Sequence, residues 1–224
     1  MKILAVADEE EASLYDYYSP RMTEGVDLIL GCGDLKAKYL EFLTTVVNRP
    51  LLYVPGNHDQ RYVQEPPEGG IDIDGQVYDF HGLRILGLGG SRKYRNGPFM
   101  YTEAEMKKRI AKLDRSIRFM NGIDVVIAHA PVKGYGDLDD LPHQGFDCFN
   151  DLLMKYHPQV FLHGHVHQAY TSEFQRERIH PSGTRLINCA GHVILDIPEG
   201  SYPQEGHTGS RFYDWYVGWR KKNR

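Results

Sequence analysis

The sequence predicts an α/β fold, and three observations predict it. Its apolar runs are short and often β-branched, the mark of buried strands. Helix-length stretches separate the early runs, as in βαβ units, whereas the later runs lie closer together, which points to antiparallel pairing. Polar and titratable clusters follow several runs directly, and in an open α/β sheet sites form at such strand ends. With 224 residues, 41% of them hydrophobic and 25% charged, the chain has the size and composition of one well-buried globular domain.

Strands are expected over residues 2–7, 27–30, 51–54, 84–88, 124–128, 160–162, 185–188 and 193–197. The clearest helix covers 103–120: Thr102 and Glu105 form a capping box, Met106, Ile110, Leu113, Ile117 and Met120 recur with helical period, and Asn121-Gly122 supplies the stop. Shorter helices are expected over 35–47 and 149–156, the second ended by Pro158. Residues 64–70 are rich in Pro, Gly and Glu and read as a loop, and 202–224 as a docked or frayed C-terminal segment. No composition shift marks a domain boundary.

The net charge of −4 gives no general pull toward nucleic acid or anionic membranes, although it leaves local basic patches open. Cys32, Cys148 and Cys189 show no ligand-like spacing and read as small buried hydrophobes. The first apolar run is too short for a signal peptide, and no stretch has the length of a membrane-spanning helix. The expectation is a cytoplasmic protein with reduced thiols and no membrane contact.

Chemistry concentrates at the strand ends. Asp8 and Asp34 offer carboxylates, Asn57 an amide oxygen, and His129, His165 and His167 imidazoles. Mixed oxygen and imidazole donors suit Mn, Fe or Zn better than Ca or Mg alone. His165 and His167 are two apart, so in extended chain both lie on one side. Gly33, Gly56 and Gly164 let the backbone turn sharply as the strands end.

These blocks, Asp8, Gly33-Asp34, Gly56-Asn57-His58-Asp59, His129 and Gly164-His165-Val166-His167, resemble in order the pattern of the calcineurin-like metallophosphoesterase superfamily. The resemblance runs from Asp8 to His167. It implies a four-layer α/β/β/α sandwich of two mixed β-sheets flanked by helices, with residues 1–224 as a single metallophosphoesterase domain. It also implies two divalent metal ions, with Mn or Fe ahead of Zn or Ni. Asp34 would bridge them, Asn57, His129 and His165 would complete one, and Asp8 and His167 would serve the other. His58 would stabilise charge on the substrate phosphate and protonate the leaving oxygen, with Asp59 orienting it. The implied reaction is hydrolysis of a phosphodiester or small phosphomonoester by a hydroxide bridging the metals.

One block departs from the family. Where its pattern reads Asp-x-His, this chain has Asp8-Glu9-Glu10. Three readings follow: Glu10 coordinates in place of the histidine, Glu10 points away and leaves that metal weak or absent, or Glu9 or Glu11 takes the position. Spacing favours Glu10, which shares a side with Asp8 if the turn stays extended. A glutamate ligand would tilt selectivity toward Mn or Fe(II) and away from Zn.

Two further segments carry candidates for substrate binding. The basic, glycine-rich stretch 87–95 could bring Arg92 to a phosphate as an anion clamp, or be a solvated turn. His143, in the acidic stretch 134–145, could face the cleft. Tyr15, Tyr17 and Tyr18 could line a pocket or pack under a helix. A small-molecule phosphoester is the expected partner. A metal-dependent nuclease would need a basic groove, against which the acidic balance argues. A non-catalytic binding scaffold with a partly lost metal site is favoured by Glu10 alone.

Overall fold

Alternation along the strands sorts this chain into layers. In the computed structural model, which describes residues 1–170 and 174–223, the elements in chain order are β1 (Lys2–Ala7), β2 (Leu28–Gly31), α1 (Ala37–Val47), β3 (Leu51–Tyr53), β4 (Gly70–Asp72), β5 (Val77–Phe80), β6 (Leu83–Leu88), β7 (Ser91–Arg92), β8 (Met100–Tyr101), α2 (Glu103–Phe119), β9 (Val125–Ala128), α3 (Asp147–Tyr156), β10 (Val160–His163), β11 (Glu177–Ile179), β12 (Arg185–Asn188), β13 (Gly191–Asp196) and α4 (Arg211–Lys222). One sheet has the order β13-β1-β2-β3-β4, and the other β11-β12-β10-β9-β6-β5.

The two sheets bury their inner faces against each other. Ile3, Ala5 and Ala7 of β1 and Leu28 and Leu30 of β2 meet Val125 and Ile127 of β9 and Val160 and Leu162 of β10 in one core. The alternate residues face outward, as the two-residue period of a strand requires. Leu4, Val6 and Ile29 pack with Tyr39, Leu40 and Leu43 of α1. On the far side, Val126, Ala128 and Phe161 pack with Met106, Leu113 and Ile117 of α2 and Phe149, Leu152 and Leu153 of α3. The result is the expected α/β/β/α sandwich of two mixed sheets.

Topology then gathers the strand ends. β1, β2 and β3 run parallel, so Asp8, Asp34 and Asn57 leave one edge of the first sheet. β9 and β10 also run parallel, and His129 and His165 leave the matching edge of the second. Gly164 N–H donates to His129 O at 3.1 Å, and Asp8 N–H to Gly33 O at 3.1 Å, tying neighbouring exits together.

Several elements differ from expectation. The strands expected over 160–162, 185–188 and 193–197 do not pair with one another as antiparallel neighbours. β12 joins β10 in parallel, while β13 crosses to the other sheet and pairs antiparallel with β1. Only β11 beside β12 and β5 beside β6 make the local antiparallel pairs of the described second sheet. β4, β5 and β11 are three or four residues long and half-exposed, so they lack the apolar run that marks a strand in sequence. The C-terminal segment forms α4, capped by Ser210 accepting from Tyr213 N–H. Tyr15 and Tyr18 pack edge-on against Phe42 of α1, and Tyr15 also against Tyr39.

Candidate metal centre

Three of the eight described non-glycine residues in left-handed backbone lie where the ligands are expected. Asp8 (φ 62°), Asp34 (φ 57°) and His165 (φ 71°) all adopt the left-handed conformation that side chains other than glycine rarely take. Gly56 and Gly164 serve close approach: a Cβ on Gly56 would run into the Asp34 carboxylate, and one on Gly164 into that of Asp8. These glycines therefore let one strand end sit against the acid of another.

The first cluster is built from atoms that can only accept. His129 Nδ1 lies 2.9 Å from the carbonyl of Cys32, so the ring proton is there and Nε2 is bare. His165 Nε2 lies 2.7 Å from the carbonyl of Pro142, which leaves Nδ1 bare in the same way. The two bare nitrogens face each other at 3.1 Å. Asn57 Oδ1 and Asp34 Oδ2 each lie 3.1 Å from His129 Nε2. Four lone pairs converge on one point in a buried site, and only a cation or a proton can satisfy them. Asp34, His129 and His165 also form the group among the described residues whose donors lie close enough together to hold one metal ion. The donor set fits a divalent transition ion.

The electrostatics agree. Burial works against the charge on Asp34, yet the neighbouring His129 outweighs it and holds the carboxyl well below its usual range. Burial likewise opposes charge on His129, and Asp34 outweighs it, raising that imidazole. His165 is pushed down to about 3 by burial and by the positive charge of His129. Both shifts favour positive charge beside Asp34.

The second cluster is looser. The Asp8 carboxylate is fully buried and accepts the backbone N–H of His165 at 2.9 and 3.0 Å. His167 Nε2 lies 3.4 Å from Asp8, and its Nδ1 3.4 Å from Glu9. Its hydrogen bond to Asp8 raises the His167 pKa. Glu10 is turned to Lys36, 3.2 Å away, while Glu11 lies 3.0 Å from His192. Glu10 still lines a cleft of about 620 Å³ together with Asp8, Asp34, Lys36, His58 and Arg61.

His58 stands at the mouth, largely exposed, with Nε2 4.0 Å from Asp34 Oδ2, while its backbone N–H donates to Asp34 Oδ1 at 2.7 Å. The hydrogen bonds of Asp59 differ from the expected orienting role. Among the described residues they go to the backbone N–H groups of Asp34 (2.7 Å) and Gly56 (2.8 Å), not to the His58 ring. The reason is burial: Asp59 lies under the turn, where two amides need an acceptor, whereas His58 points out. Burial and the charge of Asp34 push Asp59 up to about 7.

The outer candidates separate. The His143 ring lies 5.3 Å from that of His165, with Nδ1 on Asp140 at 2.6 Å, so its loop borders the centre. Arg92 is paired with Glu103 at 2.6 Å and lies over the Phe146 ring. From the same stretch it is Tyr94 that reaches the centre, accepting a hydrogen bond from Asn57 Nδ2 at 3.4 Å. Tyr94 and the carbonyls of Cys32 and Pro142 were missed by sequence reasoning. Tyr94 could have been suspected from its place in the basic loop, but nothing in a residue's identity marks its carbonyl.

A family model described as calcineurin-like phosphoesterase matches residues 7–169. The chain belongs to that family. Its members are generally metal-dependent phosphoesterases. An uncharacterised Haemophilus influenzae protein is 26% identical over 190 residues, which cover 70% of this chain and 80% of that one. A Pseudomonas aeruginosa protein named 3',5'-cyclic adenosine monophosphate phosphodiesterase CpdA is 29% identical over 163 residues, covering 68% of this chain and 57% of its own length. The chain thus spans little more than half of that named relative. The crystal structure of TT1561 of Thermus thermophilus superposes with a TM-score of 0.60 at 16% identity, covering 85% of this chain and 89% of that one, a likeness of fold. No helix among the described residues is long and apolar enough to cross a membrane.

Proposed function

We propose that residues 1–224 form one domain that hydrolyses a phosphodiester or a small phosphomonoester at a dinuclear metal site. The observation that carries this reading is the convergence of His129 Nε2, His165 Nδ1, Asn57 Oδ1 and Asp34 Oδ2, with both imidazoles held by carbonyls that leave the facing lone pairs bare. Those four residues would hold the first ion, and Asp34, Asp8, His167 and Glu10 the second. Mn or Fe suits the donors best, with Zn or Ni as substitutes. Divalent ions bound there supply Lewis acidity and lower the pKa of a coordinated water.

The remaining work falls to the chain. His58, exposed beside Asp34, is placed to donate to a phosphate oxygen and to protonate the leaving oxygen. Asp59 keeps the turn carrying Asn57 and His58 against the loop of Asp34. Tyr62 helps by donating to the carbonyl of Leu35. His143 and Arg92 are the proposed substrate contacts, and of the two His143 stands beside the centre. The cleft of about 620 Å³ accommodates a small organic phosphoester. A cyclic nucleotide is one such diester, and the name of the Pseudomonas relative supports testing it.

The test is hydrolysis of bis-p-nitrophenyl phosphate, p-nitrophenyl phosphate and cyclic AMP with Mn, Fe, Ni, Zn or Mg, beside His58→Ala and Asp34→Ala. Activity with Mn or Fe that both substitutions abolish is expected. No hydrolysis with any metal would leave a binding scaffold, and undiminished activity in Asp34→Ala would overturn the site.

A further inference from the structure

The C-terminal helix exposes a face that the catalytic reading does not use. Tyr213 and Val217 of α4 are buried against the body of the protein. Tyr213 donates to Asp79 at 2.6 Å and packs edge-on against Phe119. Asp214 accepts from Thr208 and Gly209, and Lys221 pairs with Glu205 at 3.1 Å. The helix is therefore held on its inner side, and its outward face is set by the fold.

That outward face is aromatic. Phe212 (80% exposed), Trp215 (68%), Tyr216 (39%) and Trp219 (53%) recur at i, i+3, i+4 and i+7 and form one stripe along a helix of about 18 Å. Single exposed apolar residues are ordinary, but four adjacent large aromatics mark a contact surface. Arg211, Arg220 and Lys222 are exposed around the stripe. The one acid of the helix, Asp214, is bound on the inner side. A whole-chain net charge of −4 averages this local cationic surface away.

The charges select the occupant. A second copy docked through the same face would set these cations against one another, and the two acids beside them are already engaged, Asp79 by Tyr213 and Glu205 by Lys221. Single-stranded nucleic acid follows continuously basic grooves, and the groove beside this ridge is mixed, with Asp79 and Glu205 set among Arg220 and Lys221. Tryptophan and tyrosine flanked by arginine and lysine suit the boundary between lipid headgroups and acyl chains.

We propose that α4 seats this protein on an anionic bilayer surface. Phe212, Trp215, Tyr216 and Trp219 enter the headgroup layer, and Arg211, Arg220 and Lys222 meet the lipid phosphates. The chain's two tryptophans both lie on this face, so their emission reports its burial directly. Full-length protein is mixed with phosphatidylcholine vesicles with and without phosphatidylglycerol, following emission and co-sedimentation. A blue shift and pelleting with the anionic vesicles only, reversed by salt, is expected. Arg211→Glu with Lys222→Glu should weaken binding about tenfold or more. Trp215→Ser with Trp219→Ser should abolish pelleting, with circular dichroism showing that both variants fold. Absence of a shift and of pelleting with anionic vesicles overturns the proposal, as does binding that survives both variants. So does self-association in sedimentation equilibrium that these substitutions abolish, which would assign the face to a second copy.

Discussion

The two halves of the proposed metal centre contain similar residue types and are built differently. In the half of Asp34, Asn57, His129 and His165, backbone carbonyls fix both imidazole tautomers and burial keeps water away. In the half of Asp8, Glu10 and His167, the histidine is partly exposed, and Glu9 and Glu10 answer nearby cations. The contrast teaches that a ligand is made by what holds its other side. A histidine whose second nitrogen is bound to a carbonyl arrives at the metal preorganised. A glutamate free to meet a lysine must first leave it.

The predictions follow from that difference. Asp34→Ala removes the residue common to both halves and should lower hydrolysis of bis-p-nitrophenyl phosphate by more than the roughly 10–100-fold typical of losing a supporting partner. His129→Ala and His167→Ala should then part company. Metal analysis after dialysis against a mild chelator should show the His129 variant without tightly held metal and the His167 variant retaining one ion. Equal loss in both would erase the contrast between the halves. Glu10→His restores the family's residue and should raise occupancy of the second position, read as stoichiometry by calorimetry. Tyr94→Phe releases the amide of Asn57 and should weaken binding of the first metal by about tenfold.

The smallest effect is a control from outside the centre. His180 is buried among neutral partners, Ser182 and Asn150, and burial alone holds its pKa below the ordinary value. The unfolded chain therefore takes up a proton first as pH falls. The stability it contributes is present above the ordinary histidine range and is lost as pH drops through it. The urea midpoint should fall more for the wild type than for His180→Asn between about pH 7 and 5.

Much of the fold could be read from the chain because its central strands are buried on both faces and appear as unbroken apolar runs. The edge strands β4, β5 and β11 could not, since a half-exposed strand of three or four residues has no such run. The site shows the same division. Asn57, His58, His129 and His165 stood out as polar residues directly after apolar runs. The pairing of Arg92 with Glu103 could not be foreseen, because it joins residues from separate elements. Nor could the use of Asp59 as a backbone staple, which depends on how two loops meet.

By itself the sequence determined where the central strands lie along the chain, the polar side chains at their ends and the departure at Glu10, all of which are local and carried by residue type. Tertiary structure alone decided which donors converge, which tautomers they adopt and where Glu9, Glu10 and Glu11 turn. Those outcomes depend on carbonyls, lysines and loops brought in from distant parts of the chain, and a carbonyl has the same chemistry whatever residue carries it.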